Sequence, residues 1–317
     1  MKPLVSVVIP TYNCADLLER SVKSVLAQTF QDFEIIIVDD ASADNTQEVV
    51  FSFKDTRIKY VRHKKNLGEA AARNTGIKIA QGEYIAPQDS DDEWLPEKLE
   101  KQLNAFKNSS SLLGVVYTGF WKIRGDKKNY LPSVNIKAKE RNIYNILLKS
   151  NFIGTPTTLI KKACFEKSGL FDERLFHLVD WDLWIRISRF YHFKYIAEPL
   201  VNSYYREQCV SDNEKAFISA VEIILKKNFE ELKRSSRLLS YYYYTLGRGL
   251  CNIREFERGK EYLTQAVKLY PFCLKYDFCA LCALAGEKKY KAAVAYLYNV
   301  RKRIKDILSN LINDREK

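Results

Sequence analysis

The 317-residue sequence contains no run approaching ~20 uninterrupted apolar residues, so a membrane-spanning helix is not expected. Its N-terminal MKPLVSVVIPTYN runs straight into a strand-like pattern, and no signal peptide is expected there. Zinc spacing is also missing. The seven cysteines (14, 164, 209, 251, 273, 279 and 282) form one Cys-x-x-Cys, at Cys279 and Cys282, inside the apolar helical run FCALCALAG. Buried thiols in a reducing cytosol are the expectation, and the Asn-Ser-Ser sequon at Asn108 then carries no weight. His177 and His192 lack ligand-spaced partners and Cys164 lacks a paired base, which leaves His or Cys nucleophilic catalysis without support. Neither Gly-x-Gly-x-x-Gly nor a Walker loop follows the first strand, which disfavours simple dinucleotide dehydrogenases and P-loop NTPases. Aromatic and basic residues do not interleave on any one strand as a stacking platform requires, so no nucleic-acid partner is expected.

What is present is a globular composition, 46% hydrophobic and 28% charged. The length allows one large catalytic domain with a smaller one beside it. The net charge of +12 is biased toward the C-terminus, where residues 212–317 carry 21 Lys and Arg against 13 Asp and Glu. These charges are interleaved on helices, and only Arg301-Lys302-Arg303 is a dense cluster. Solvated helix faces are the first reading; peripheral contact with an anionic membrane or with a protein partner is the second.

The first ~110 residues alternate β-branched runs with amphipathic stretches, the pattern of βαβ units and a mostly parallel sheet flanked by helices. Strands are expected at 4–9, 33–40, 57–63 and 83–88, and helices at 15–28, about 42–51 and about 69–80. The middle reads as a strand at 112–123, a helix at 141–150, a strand at 154–160, a helix at 180–191 and a strand pair at 194–206. The β pattern stops near residue 212, which divides the chain into an α/β domain, 1–211, and an all-α C-terminal region, 212–317. Within the latter, Tyr243, Leu246, Gly247, Leu250, Gly259, Leu263, Ala266 and Pro271 resemble one tetratricopeptide repeat, and 279–299 looks like part of a second.

Every early strand ends in a polar cluster, and open α/β sheets bind ligands at the carboxyl ends of their strands. Thr11-Tyr12-Asn13, Asp39-Asp40 and Asp89-Ser90-Asp91-Asp92 all sit at such ends. Carboxylates crowded on a turn repel one another unless a cation sits between them, and a hard divalent ion suits oxygen ligands. The alternative is a helix N-terminus capped by Asp91 or Asp92, which leaves Asp89 unexplained. A carboxylate of the Asp39-Asp40 pair can accept from a nucleobase N–H or a ribose hydroxyl. Arg73, among small residues, can reach a phosphate bidentately or form a surface salt bridge. Asp180 either accepts a proton in catalysis or N-caps the helix DWDLWIRISR, whose Trp181 and Trp184 read as core.

Together VVIPTYN (7–13), VDDASADNT (38–46), NLGEAAARNTGI (66–77), YIAPQDSDDEW (84–94), FDERL (171–175) and DWDLWIR (180–186) resemble the inverting family 2 glycosyltransferases of GT-A fold, over roughly residues 4–206. The resemblance implies a nucleotide pocket lined by Pro10, Thr11, Tyr12 and Asn13, with Tyr12 against the base. It implies that Asp39 reads the base, Arg73 the nucleotide or diphosphate and Asp89 the ribose, that Asp91 holds a divalent cation (Mn2+ or Mg2+), and that Asp180 is the general base. Many members carry Glu immediately before that aspartate, where this chain has Val179. The implied activity moves a sugar from a nucleotide donor, UDP-linked by expectation, to a saccharide or lipid-linked glycan in surface polysaccharide biosynthesis, in the cytoplasm or peripherally at the inner membrane face. A sugar nucleotidyltransferase and a non-catalytic nucleotide-binding adaptor are the alternatives. The first normally needs a Gly-rich loop after strand one that PTYNCADLLERS lacks, and an intact Asp180 argues against the second.

Overall fold

The computed structural model describes residues 2–107, 109–132, 140–205, 213–293 and 296. Asn108, Cys209, the 206–212 junction and the Arg301–Lys305 cluster lie outside them. The chain divides into two compact units, Met1–Asn213 and Glu214–Lys317.

In the first unit, β1 (Val5–Thr11), α1 (Ala15–Leu26), β2 (Phe33–Asp39), α2 (Thr46–Ser52), β3 (Ile58–Arg62), α3 (Glu69–Ile79) and β4 (Tyr84–Pro87) follow the expected alternation. β1 and β2 are buried along their whole length, as parallel strands covered on both faces require. Then come β5 (Glu93–Trp94), α4 (Lys98–Lys107), β6 (Leu113–Arg124), β7 (Lys127–Leu131), α5 (Tyr144–Leu147), β8 (Thr158–Lys161), α6 (Ala163–Ser168), α7 (Val179–Ser188) and β9 (His192–Tyr204). The sheet order is β3-β2-β1-β4-β8-β6-β9-β5, with β7 paired to β6. The strands β1 to β4 pair in parallel, whereas β8 pairs antiparallel to both β4 and β6. A mixed sheet results, with its core on Val5, Val7, Ile9, Leu18, Val22, Ile35 and Ile37.

Four local expectations are revised. The helix at 141–150 is a single turn, and residues Thr155–Thr157 form a 3-10 turn before β8, because Pro156 supplies no backbone N–H to the sheet. Residues 194–206 make one long strand, β9, that absorbs Glu198-Pro199 as an irregularity: Thr118 pairs with Ile196, but Gly119 pairs with Pro199. The stretch after Asp92 forms β5 first, and its helix starts only at Lys98, so Asp91 and Asp92 do not stand at that helix's N-terminus.

The second unit contains α8 (Glu214–Lys227), α9 (Phe229–Leu232), α10 (Ser236–Asn252), α11 (Phe256–Leu269) and α12 (Leu274–Leu284). α10 and α11 cross at paired glycines: a Cβ on Gly247 would stand 2.8 Å from the Gly259 carbonyl oxygen, and one on Gly259 would stand 2.8 Å from the Gly247 oxygen. Tyr244, Cys251, Leu263, Ala266, Tyr276 and Cys279 form its core.

Candidate active site

β2 and β3 lie on one side of β1 and β4 on the other, all parallel, so the gap between β1 and β4 is the sheet's topological switch point. Thr11-Tyr12-Asn13 leave β1 there and Asp89–Asp92 leave β4 there. Pro10 and Thr11 are buried; Tyr12 is 50% exposed at the mouth. Asn13 takes a left-handed φ of 47°. Its backbone N–H donates to Ser42 Oγ at 2.9 Å, and its Oδ1 accepts from the Ala43 N–H at 2.7 Å, lacing the β1 and β2 loops together. Thr11 Oγ1 is buried without a hydrogen-bond partner among the described residues.

The acidic pair at the end of β2 divides its work. Asp39 accepts from the Ser42 N–H at 2.7 Å and from Tyr60 Oη at 2.5 Å, with Arg62 Nε 3.7 Å away. Asp40 turns to the other loop, accepting from the backbone N–H groups of Leu67 (2.9 Å) and Gly68 (2.7 Å) and pairing with His63 Nδ1 at 2.7 Å. That fixes the entry to α3, where Gly68 adopts φ 93°. Sequence reasoning missed this role of Asp40; the signal was the Asn-Leu-Gly that follows, a turn in need of an acceptor.

α3 is built of small residues on its inner side, and Gly76 lets it lie directly on Val8 of β1. This close approach carries Arg73, 1% exposed, into the switch point. Arg73 donates to Glu69 Oε1 through Nε (3.1 Å) and to Asp89 Oδ1 through Nη2 (2.5 Å), while Nη1 is buried without a partner among the described residues. Burial, with Glu69 and Asp91 nearby, pushes the Asp89 carboxyl up to about 6 against the pull of Arg73. Glu69 was not anticipated; its position four residues before Arg73 is the helical ion-pair spacing.

The acidic loop is clamped from two further elements. On α1, Ser21 Oγ donates to the Asp89 carbonyl at 2.8 Å, and Arg20 donates to the Asp91 carbonyl while its guanidinium lies 3.9 Å over the Tyr204 ring. From β9, the Tyr204 N–H donates to Asp92 Oδ1 at 3.2 Å and its hydroxyl to Glu93 at 2.9 Å. Burial and the neighbouring Asp89 and Asp91 hold the Asp92 carboxyl well above its ordinary range. Asp92 is therefore a strut of the loop.

Asp180 stands in the first turn of α7, after Leu178 in the left-handed region, so it is not the N-cap. Trp181 Nε1 donates to the Leu147 carbonyl (2.7 Å) and Trp184 Nε1 to the Ile153 carbonyl (3.2 Å), so both tryptophans are core and pin the segment between. That segment presents Asn151, whose Nδ2 donates to Asp180 Oδ2 at 2.9 Å. Asn74 of α3 binds the Phe171 backbone through both its amide atoms, at 2.9 and 3.0 Å, which ties the approach to α7 onto the helix that carries Arg73. Desolvation raises the Asp180 carboxyl above the usual range, assisted by Glu69 and opposed by the Asn151 hydrogen bond and by Arg73. Arg73 thus pairs directly with Asp89 and also acts on the Asp180 carboxyl, while Asp39 is engaged in the neighbouring loop.

Among the described residues no group of three or more His, Cys, Asp or Glu could hold a metal ion. A Mg2+-type ion needs no such cage: one or two carboxylates suffice when substrate phosphates and water complete the shell. On this loop Asp89 is bound by Arg73 and Asp92 by the Tyr204 N–H, so such an ion would rely on Asp91 together with substrate phosphates and water.

The chain spans 83% of the UDP-Glc:alpha-D-GlcNAc-diphosphoundecaprenol beta-1,3-glucosyltransferase WfgD of Escherichia coli, and is 33% identical to it over 73% of its own length. It spans only 64% and 26% of two other curated relatives, uncharacterized glycosyltransferases of Rickettsia prowazekii and Rickettsia bellii. Its fold matches S. aureus TarS 1-349, solved in complex with UDP-GlcNAc, with TM-score 0.68 at 20% identity over 92% of this chain and 89% of that one. It also matches the Pyrobaculum calidifontis mannosyltransferase PcManGT, solved with GDP-Man and Mn2+, with TM-score 0.57 at 18% identity over 93% and 87%. The first unit therefore has the GT-A fold. Residues 6–169, about half of the chain, match the sequence model of Glycosyl transferase family 2, and the protein is a glycosyltransferase belonging to that family.

Proposed function

We propose that the protein transfers a sugar, with inversion, from a uridine diphosphate donor to a hydroxyl of a saccharide or lipid-linked glycan, in the assembly of a surface polysaccharide. The observation that carries this reading is the pairing of Arg73 and Asp89 at the switch point, together with a separate carboxylate, Asp180, held by Asn151 at the start of α7. The substrates in the name of WfgD, a UDP sugar and a diphosphoundecaprenol-linked acceptor, and the UDP-GlcNAc bound to TarS support the donor and acceptor classes.

In this reading Pro10, Thr11, Tyr12 and Asn13 line the nucleotide pocket. The exposed Tyr12 ring stacks on the base, and Thr11 Oγ1, buried without a partner, faces a polar ligand group. Asp39 reads the base and Asp89 the ribose. Arg73 offers its unpartnered Nη1 to the diphosphate, so the donor satisfies a buried cation that the protein leaves short of one acceptor. Asp91 holds a divalent cation, for which the Mn2+ in PcManGT is the supporting observation; such an ion offsets negative charge on the departing diphosphate. The acceptor oxygen attacks the anomeric carbon, the bond to the β-phosphate oxygen breaks with its electron pair on the diphosphate, and the acceptor proton passes to Asp180. A raised pKa suits that role, because a carboxylate nearer the working pH is the stronger base. The lipid-linked acceptor class implies a cytoplasmic enzyme in peripheral contact with an anionic membrane or with a protein partner, through the helical C-terminal region.

Calorimetric titration with UDP, with and without Mn2+, tests the reading on the wild type and on Asp91→Ala. Metal-dependent binding lost in the variant supports it, and Asp180→Asn should then bind UDP but not turn over. Absence of UDP binding in both conditions would sink it.

A further inference from the structure

The helix α12 is apolar on two opposite faces. Its inner face, Tyr276, Cys279, Ala280 and Ala283, is buried in the core of the second unit. The outer face carries Leu274, Phe278 and Leu281 at helical i, i+4, i+7 spacing, continued by Leu284 and preceded by Phe272. Most are well exposed: Phe272 is 93%, Leu274 85%, Leu281 65% and Leu284 61% accessible, with Phe278 at 39%. A row of large apolar side chains in water on one helix marks an interaction surface.

The bordering charge identifies the partner. Lys268 precedes the stripe in sequence and Lys288 and Lys289 follow its end, all three exposed, while Lys275 within it lies over the Tyr244 ring at 4.5 Å. Of the acids nearby, Glu287 is ion-paired with Lys291 at 2.5 Å, and Asp277 is only partly exposed. Apolar side chains bounded by cations match the boundary between acyl chains and anionic headgroups, where a helix lies in the plane of the membrane. No helix among the described residues is long and apolar enough to cross a bilayer, so this contact is peripheral.

We propose that the Phe272–Leu284 face of α12 docks on an anionic lipid bilayer. The proposal rests on the reading of a lipid-linked acceptor given above, for which it supplies the surface that brings the enzyme to its substrate. The test is co-sedimentation of the full chain with phosphatidylcholine vesicles, with and without phosphatidylglycerol, while UDP binding is measured on the same preparations. The wild type should sediment with the mixed vesicles, roughly tenfold less with neutral ones, and less again in high salt. Leu274→Glu with Leu281→Glu should reduce sedimentation by roughly tenfold or more and leave UDP binding unchanged. Phe272→Ser, at a nearly fully accessible position outside the helix, should weaken it while a thermal melt checks that the fold is kept. Vesicle binding that both variants retain, or no binding by a wild type that binds UDP, would overturn the proposal. So would a concentration-dependent dimer that Leu281→Glu dissolves in the absence of vesicle binding, since a second copy would then cover the face. Failure of UDP binding with vesicle binding intact would sink the donor reading alone.

Discussion

Asn151 Nδ2 donates to Asp180 Oδ2 at 2.9 Å, joining residues 29 apart in the chain. The bond stabilises the charged form of a carboxylate that burial otherwise raises. Removing it with Asn151→Ala therefore moves the Asp180 pKa further up. If Asp180 is the base, activity needs its ionised form and falls as pH drops through that pKa, so the acidic limb of kcat shifts to higher pH in the variant. A hydrogen bond to a charged group contributes about 1.5–3 kcal/mol, so the limb should move by roughly one to two pH units and activity on its acidic side should fall roughly tenfold or more. Asp180→Asn should cost roughly 100-fold or more. A pH–rate profile checks both; a uniform drop with no displaced limb would make Asn151 a merely structural residue.

Arg73 is buried with two carboxylates on it, Glu69 and Asp89. Arg73→Ala leaves them facing each other without a cation, and breaking a buried pair this way costs about 3 kcal/mol, which half-exposed Glu69 tempers. For a domain of this size that lowers Tm by roughly 6–12 °C. Arg73→Lys retains the charge but cannot reach Glu69, Asp89 and a diphosphate together, so it should recover most of the Tm and little of the UDP affinity. Recovery of both in a thermal melt and a UDP titration would contradict the diphosphate role.

Strand periodicity and the polar clusters at strand ends made the α/β architecture legible, because buried parallel strands read as continuous apolar runs, as in FEIIIVD. The glycines 247 and 259 likewise announced a close helix crossing, and the structure places them against each other's carbonyl oxygens. What stayed hidden were partnerships set by long-range packing. Nothing local to Asp40 distinguishes it from Asp39, yet one holds the loop to α3 and the other binds Tyr60. Asn151 lies in an irregular segment whose course is fixed by Trp181 and Trp184, some 30 residues later in the chain. Asp92 read as one member of an acidic cluster, and only the arrival of Tyr204 from β9 reveals it as a strut.

Asp40 should matter for the stability of the α3 entry. Asp40→Ala leaves the N–H groups of Leu67 and Gly68 and the ring of His63 without their acceptor. The expected destabilisation is roughly 2–3 kcal/mol, concentrated in that loop. Hydrogen exchange should show early loss of protection at Leu67 and Gly68 while β1 and β2 keep theirs; unchanged exchange at those two amides would refute the assignment.

Gly76 sets how close α3 lies to the sheet. A Cβ there would overlap Val8 Cγ1 and stand 3.3 Å from its Cγ2. The helix packs on β1, so Gly76→Ala must push it outward and cost about 1–3 kcal/mol of overpacking, against a helix-propensity gain of about 1 kcal/mol. The displacement also carries Arg73 away from Asp89, three residues along the same helix. Val8→Ala alone leaves a cavity, but combined with Gly76→Ala it makes room for the new methyl. The two substitutions should therefore be less harmful together than the sum of their separate effects, by roughly 1 kcal/mol in a double-mutant cycle on denaturant unfolding. Strict additivity would mean that α3 is not held against Val8. If UDP affinity recovers along with stability in the double variant, the glycine acts on the site through the depth of the helix.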